Sequence, residues 1–195
     1  EYTWAEGYER VKNFALGLAS LGFKRGDIMA VIADNDPHWF WAELAAMGLG
    51  GAITVHCDES DDPSSRHVEH AAAETIRLGL QGKVTVSHVT SMATMDPYYV
   101  NRKLIPLMAQ ARLNVIANPL INVHLGGRFN HPSHRGMTPI REEMEAGLIV
   151  ACGQDCNEDP WYPLGNADML EVAKMGAHLG HMMGTDALRA MYGTV

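Results

Sequence analysis

The sequence predicts an α/β fold built from mainly parallel strands joined by crossover helices. Short apolar runs typical of buried strands begin about 30 to 34 residues apart from residue 53 onward. Segments with helical spacing of apolar residues fill the gaps, and polar side chains follow the strand ends in order. A strand, a crossover helix and a second parallel strand form a right-handed unit. These observations together predict repeated βα units over most of the chain.

The first 52 residues predict a helix, a strand and a second helix. Thr3 and Glu6 have the spacing of a capping box at the start of the first helix. Residues 28–33 form a continuous apolar run, as expected of a strand buried on both faces. Asp36-Pro37 then has the form of a cap followed by a proline at the first helical position.

The repeat that follows contributes four more strands, so the expected sheet has five. We expect these four near residues 53–57, 84–88, 114–118 and 148–152. The helical patterns between and after them predict a helix opening at Asp62-Pro63, then helices at 104–113, 139–146 and 167–191. No linker rich in Pro, Gly or Ser separates residues 1–52 from this repeat.

Polar side chains follow each of these strands. His56 and Glu59 come after the first, His88 after the second, Asn118 after the third, and Asp155 with Cys156 after the fourth. Because the carboxyl ends of parallel strands meet on one face, we expect these side chains to converge. Imidazoles with carboxylates are what a hydrolytic metal site needs, since nitrogen and oxygen ligands hold the ion and a carboxylate moves protons. The alternative interpretation of any one of these side chains is a loop residue whose hydrogen bonds are satisfied locally and which has no role in a site.

Composition and charge limit the classes of partner that we expect this chain to bind. The net charge is −8 without a basic cluster, so nucleic acid is not an expected partner. No stretch approaches the roughly 20 apolar residues that cross a bilayer, and the first ten residues do not resemble a secretory signal. We therefore expect no membrane association, a cytoplasmic location and reduced cysteines at positions 57, 152 and 156.

Four segments resemble the successive strand-end motifs of bacterial cytosine deaminases in the amidohydrolase superfamily. They are VHCDE (55–59), SHVTSM (87–92), ANPLINVHLGGRF (117–129) and GQDCNEDPWYPLGNADMLEVAKMGAHL (153–179). The resemblance covers residues 53–195. It implies a partial (β/α)8 barrel of the TIM type, the C-terminal half of the family's fold, and the hydrolytic deamination of cytosine or a related aminopyrimidine-like ring.

The resemblance also implies roles for individual residues. His56 and Asp155 match ligands of a divalent metal, Fe or Zn, and Asp155 also takes the proton of the water. Glu59 matches the acid that moves a proton between the water and the ring, and His88 matches the imidazole that orients the hydroxide. The residues expected beside the substrate, a small pyrimidine-like molecule, are Trp161, Cys156 and Asn118. The family has Asp at the position of Cys156, which leaves the exact amine substrate open.

The chain departs from the family in two respects. None of its ten histidines forms the His-x-His pair that begins the family's metal site, so we expect weak metal binding and impaired turnover. Residues 1–52 instead resemble the N-terminal portion of AMP-forming acyl-CoA synthetases, through Gly22, Gly26-Asp27, Asn35 and Gly51-Ala52. The phosphate loop of those ligases is missing. The resemblances together suggest a chimera with segments 1–52 and 53–195.

Two other functions compete with the deaminase. One is a non-catalytic chimeric or fragment scaffold that forms homo-oligomers through the open edges of a half-barrel sheet. The other is a rebuilt zinc site from Cys152, Cys156 and His56, although buried structural cysteines are the more common role. Metal content per chain separates these hypotheses.

Overall fold

The computed structural model describes residues 2–27, 37–129 and 131–194. The chain divides into two compact units, Glu1–Ile53 and Thr54–Val195. In the first unit, helix α1 spans Trp4–Ser20 and helix α2 spans Pro37–Gly48. The predicted capping box is present, because Thr3 accepts from the backbone of Glu6 while the Glu6 carboxylate accepts from the backbone of Thr3. The strand predicted at 28–33 lies outside the described residues.

Trp41 of α2 contacts an aromatic residue that precedes α1 and a cationic residue within α1. The ring of Tyr2 meets that of Trp41 edge to face, with 5.0 Å between centroids, and the guanidinium of Arg10 lies 5.7 Å from the same indole ring. Trp41 is buried, whereas α1, all of whose residues are described, buries none of its own. The apolar spacing of α1 therefore predicts its helix but not a buried face.

The second unit is built on a four-stranded sheet. The strands are β1 (Ile53–Cys57), β2 (Val84–His88), β3 (Asn114–Ala117) and β4 (Ile149–Cys152). They lie in the order β1-β2-β3-β4, and both β2 with β3 and β3 with β4 pair in parallel. The predicted α/β class with parallel strands and crossover helices is confirmed, and it corresponds to a partial (β/α)8 barrel.

Helices follow every strand, and some of their predicted bounds are wrong. They are α3 (His67–Arg77), α4 (Pro97–Tyr99), a π-helical segment (Val100–Leu104), α5 (Ile105–Ala111), α6 (Pro119–Leu125), α7 (Ile140–Glu145), α8 (Met169–Leu179) and α9 (Thr185–Tyr192). The helix predicted from Asp62-Pro63 begins later, at His67. The single helix predicted at 167–191 is two helices, because α8 ends at Leu179 and His181 and Gly184 then adopt φ values of 49° and 90° that interrupt the helical path.

Alternation along the strands places a buried apolar row on one face of the sheet. Val86, Val115 and Val150 are buried together with helix residues such as Leu104, Met108, Ile140 and Val172. Each such side chain contributes about 1.5–3 kcal/mol through burial. The intervening positions Ser87, Ile116 and Ala151 align across the sheet on its other face.

Within the described ranges, no helix is long and apolar enough to cross a bilayer.

Candidate active site

The backbone is strained at the carboxyl ends of the strands, at two of the predicted residues, His88 and Asp155, and at two others. Asp58, His88, Val89 and Asp155 have φ values of 55°, 72°, 46° and 66°, in the left-handed region that side chains other than glycine rarely adopt. Such conformations cost about 1–3 kcal/mol each and concentrate at functional sites. They lie where β1, β2 and β4 end, and there His88 and Asp155 bring their side chains close to each other.

His88 is the buried centre of this group. Its side chain is 1% exposed, and its backbone carbonyl accepts a hydrogen bond from Thr138 Oγ1 at 2.5 Å. Its ring nitrogen Nδ1 lies 3.0 Å from Asn122 Nδ2 and 3.3 Å from Glu59 Oε1. Burial lowers the pKa of His88, and the nearby His56 lowers it further against the opposing charge of Asp155. The ring is therefore neutral at physiological pH.

Three side chains of this group can hold a metal ion. Among the residues that the structure describes, His56, His88 and Asp155 are the group that brings three potential ligand atoms within 4.8 Å of one another. Asp155 Oδ1 lies 3.8 Å from Nε2 of His56 and 3.8 Å from Nε2 of His88. Two imidazoles and a carboxylate supply the nitrogen and oxygen donors that Zn²⁺ and Fe²⁺ accept. The donor set thus fits a divalent transition metal.

Glu59 lies beside this group with its proton affinity raised. Burial raises the pKa of Glu59, the charge of Asp155 raises it further, and His56 opposes the shift. The side chain remains 39% exposed. A carboxyl group with a raised pKa can hold a proton and then release it to a bound molecule, as general acid–base catalysis requires.

A cavity of about 410 Å³ opens next to these residues. Its wall combines acidic side chains with an apolar surface, and its lining includes Glu59, Asp61, Thr90, Ile121, Asn122, Leu125, Asp155, Cys156 and Trp161. This volume lies in the range of about 300–1,000 Å³ that is usual for small-molecule sites. The cavity therefore has room for a small molecule beside Asp155, the member of the three potential metal ligands that lines it.

The residues predicted beside the substrate differ in their placement. Trp161 and Cys156 line the cavity, with the indole 68% exposed. Burial first, and then the neighbouring acids Asp159 and Asp155, raise the pKa of the Cys156 thiol to about 12, which keeps it uncharged. Asn118 does not belong to the described lining of the cavity. It is buried and donates to Ser87 Oγ at 3.0 Å.

The alternative zinc site from Cys152, Cys156 and His56 is wrong for the described residues. Their ligand atoms form no group within metal-binding range. The Cys152 thiol is buried instead, 3.7 Å from the sulfur of Met191. Cys152 therefore packs as a small apolar side chain.

Two site residues were missed in the sequence. Asp58 is buried directly before Glu59, and its carboxylate accepts from the backbone of His67 and Val68 at 2.9 and 2.7 Å. Asn122 contacts His88 from α6. The spacing of Asn122, four residues after Asn118, places the two on one helical face and is the signal that could have indicated it.

Comparison with known proteins assigns the family. Residues 46–192 match the amidohydrolase family. The chain belongs to this family. The amidohydrolase is 34% identical over 148 residues to pterin deaminase of Rhizobium rhizogenes, and the match covers 73% of this chain and 34% of that protein.

Solved structures of similar proteins agree with this assignment. The crystal structure of 5-methylcytosine deaminase from Klebsiella pneumoniae, liganded with 5-fluorocytosine, has a TM-score of 0.75 and 34% identity to the amidohydrolase, and the match covers 95% of this chain and 46% of that one. N-isopropylammelide isopropylaminohydrolase from Burkholderia multivorans has a TM-score of 0.63 at 22% identity, which concerns the fold alone; the match covers 95% of this chain and 45% of that one. The chain spans about a third of the curated relative's length and just under half of these solved chains.

Proposed function

We propose that this amidohydrolase chain carries the catalytic face of a metal-dependent hydrolytic deaminase that acts on cytosine or a related aminopyrimidine-like ring. The observation that carries the proposal is the convergence of His56, His88 and Asp155 within 4.8 Å, beside a cavity of about 410 Å³. The names of the relatives, a pterin deaminase and a 5-methylcytosine deaminase, support an amino-substituted heterocycle as the substrate class.

The chain's own residues supply binding and proton transfer. His56 and Asp155 would hold the ion, and His88 lies close enough to act as a third ligand or to orient a water. When bound, a divalent Fe or Zn ion supplies a Lewis acid that lowers the pKa of water from 15.7 to about 7. Asp155 can accept the proton of the attacking water, and Glu59, with its raised pKa, can deliver a proton to a ring nitrogen. Addition of water and loss of ammonia leave a carbonyl in place of the exocyclic amine.

The cavity wall favours a flat, mostly uncharged ring. Ile121, Leu125 and the indole of Trp161 give it apolar surface, whereas Glu59 and Asp155 bring negative charge close to the reacting edge. The neutral thiol of Cys156 adds no charge there. We propose that Cys156 and Trp161 contact the substrate directly, and that Asn118 acts from beneath His88, since its Nδ2 lies 3.4 Å from both ring nitrogens.

We also propose that turnover by this chain is slow. Sites of this kind usually supply at least three protein ligands, and the sequence has no His-x-His pair. Of the ligands that the family uses, His56 and Asp155 remain, and with His88 as a third the described set is no larger than this usual minimum. Weak retention of the metal lowers the fraction of chains that can activate water.

Ammonia release tests the proposed function. The chain is incubated with Zn²⁺ or Fe²⁺ and with cytosine, 5-methylcytosine or pterin, and ammonia is measured. We expect slow but metal-dependent release that falls about 10²- to 10⁴-fold in Glu59→Gln, because the proton-transferring carboxyl is lost. Glu145→Gln, which alters a carboxylate with 69% exposure, is the matched control and should leave the rate unchanged. Release that persists in Glu59→Gln would contradict the proposed role.

We further propose that residues 1–52 have a separate origin. They would be an acyl-CoA-synthetase-like segment joined to the amidohydrolase half-barrel at 53–195. The division of the chain into compact units at Ile53 and Thr54 supports it. Limited proteolysis of the full chain tests the boundary. We expect the first cleavage between the two units, leaving a stable fragment near 54–195, whereas first cleavage within 54–195 would contradict it.

The four-stranded sheet also supports self-association. Ile149 lies in β4, the last strand of the sheet, and is 71% exposed. Large apolar side chains on an open sheet are typical of interfaces. We propose that the chain forms homo-oligomers through this part of the sheet, which is also the route by which a non-catalytic scaffold would assemble.

A further inference from the structure

Asn122 is a buried polar side chain at the site that the reaction outlined above does not use. It lies on α6, is 3% exposed, and lines the cavity beside His88. Its Nδ2 lies 3.0 Å from His88 Nδ1, the shortest contact recorded for that ring. Its other amide atom, Oδ1, is buried and has no hydrogen-bond partner among the described residues.

We propose that Asn122 is a positioning residue that fixes the tautomer of His88. An amide N–H can only donate, so a hydrogen bond from Nδ2 requires an unprotonated Nδ1 and places the ring proton on Nε2. Nε2 is the nitrogen that faces Asp155, 3.8 Å from Oδ1. With its proton there, His88 is a hydrogen-bond donor toward the reacting water and is not a third metal ligand.

Glu59 and Asn118 are the other described groups near Nδ1 of the ring, and neither outweighs Asn122 there. Glu59 Oε1 lies 3.3 Å from Nδ1, but its side chain is 39% exposed and water can satisfy it. Asn118 Nδ2 lies 3.4 Å from both ring nitrogens and therefore favours neither. The buried amide of Asn122 has no solvent alternative, and leaving its N–H unpaired would cost about 1–3 kcal/mol.

The Oδ1 atom of Asn122 is buried and has no hydrogen-bond partner among the described residues, which makes the orientation of the amide itself a testable point. A half-turn of the amide would instead present Oδ1 to Nδ1 and require the opposite tautomer of His88. The tautomer therefore reports directly which end of the amide faces the ring.

The inference rests on the proposed function for its meaning, but its test is independent of turnover. Two-bond ¹H–¹⁵N correlation spectra of the ¹⁵N-labelled full chain, stripped of metal at about pH 8, distinguish the protonated ring nitrogen from the unprotonated one. The His88 resonances are assigned by their loss in His88→Gln. We expect a protonated Nε2 in the unmodified chain. A protonated Nδ1 there would overturn the proposal, whatever the variants do.

Variants test whether Asn122 is the cause. Asn122→Asp offers only acceptor oxygens when ionised, so the proton should move to Nδ1 and the tautomer should reverse. Asn101→Asp is the matched control, because Asn101 is exposed, contacts the carbonyl of Pro97 and should leave His88 unchanged. A folded Asn122→Asp chain, checked by circular dichroism, that keeps the original tautomer would overturn the proposal.

A Zn²⁺ titration distinguishes a His88 that donates a hydrogen bond from a His88 that binds the metal. We expect the His56 resonances to shift while His88 retains its proton on Nε2, and loss of that proton would show His88 to be a ligand instead. If the tautomer behaves as expected but no ammonia is released from any substrate, the positioning role stands and the proposed deaminase function fails. The two claims are therefore distinguishable.

Discussion

At the residue scale, Glu143 shows how strongly burial can raise the pKa of a carboxyl group. Its side chain on α7 is fully buried, and neither carboxyl oxygen has a hydrogen-bond partner within the described part of the chain. Burial raises its pKa well above the ordinary value of 4.5, and Glu142 adds to the shift. A buried acid without a partner remains protonated because the charged form would lose its hydration.

The first prediction concerns the stability cost of this acid. A pKa raised in the folded state gives stability that is fully present below about pH 4.5 and lost as the pH rises toward the folded value. Glu143→Leu should remove this loss and raise the free energy of unfolding by roughly 1–3 kcal/mol at neutral pH, since the unpaired polar group is gone. Urea unfolding at a series of pH values measures it. Parallel pH profiles for the variant and the unmodified chain would contradict the account.

The residues that the sequence could and could not indicate differ in what determines their position. His56, Glu59, His88 and Asp155 follow strand ends, so strand periodicity and motif order were enough to select them. Asn122 depends on the short helix α6, which has too few residues to show a clear apolar period. Asp58 depends on a turn that brings its carboxylate to α3, and turns of this kind are set by tertiary contacts.

At the element scale, Asp58 joins β1 to the start of α3. Burial alone would raise its pKa, but hydrogen bonds from the backbone of Val68 and His67, then from side chains including Ser65, outweigh burial and lower it. The backbone carbonyl of Asp58 also accepts from Ser91 N at 3.0 Å. Asp58 thus connects the end of β1 to the first turn of α3 and to the loop after β2. Glu59, the next residue in the chain, lies at this junction.

The second prediction concerns this junction. Asp58→Asn should lower the free energy of unfolding by about 1–3 kcal/mol at neutral pH, because charge-assisted hydrogen bonds to buried backbone are weakened. A pKa lowered in the folded state gives stability present above about pH 3.8 and lost as the pH falls through the folded value. The difference between variant and unmodified chain should therefore shrink in acid. Asp62→Asn, which changes an exposed acid with a similar local turn, should have a much smaller effect. An equal loss in both variants would contradict the account.

Strands were easier to predict than helices for a physical reason. Strands show apolar residues at alternating or consecutive positions, and the predicted strand near 84–88, with Val84 and Val86 buried, matches β2. Helix ends depend instead on caps and on glycine conformation. The late start of α3 follows from the Asp58 carboxylate, which binds the backbone of His67, and the break before α9 follows from Gly184. Neither interaction is visible as a period in the sequence.

At the scale of the whole molecule, the chain presents half of a barrel's strands. The four strands form a sheet in which β1 and β4 lie at the two ends, and eight strands close a (β/α)8 barrel. The site lies at the carboxyl ends of β1, β2 and β4, so its described ligands come from one continuous sheet. The geometry for metal binding is therefore contained within residues 54–195.

The third prediction concerns self-association. Ile149→Lys should reduce it, because a charge replaces an apolar side chain that is 71% exposed on β4. Light scattering across a range of concentrations should show the unmodified chain above its monomer mass of 21.4 kDa and the variant closer to it. Leu164→Lys makes the same charge change at a side chain of 70% exposure and is the control. Equal behaviour of the two variants would contradict an interface at β4.

The most direct test of the central claim is Zn²⁺ binding measured by titration calorimetry on the full chain. We predict one weak site per chain, whose affinity falls about tenfold or more in His56→Gln and in Asp155→Asn, because each removes a ligand from a set of at most three. His70→Gln alters an exposed histidine on α3 and should leave binding unchanged. Absence of saturable binding, or equal binding by His56→Gln and the unmodified chain, would contradict a metal centre at these strand ends and the hydrolytic function inferred from it.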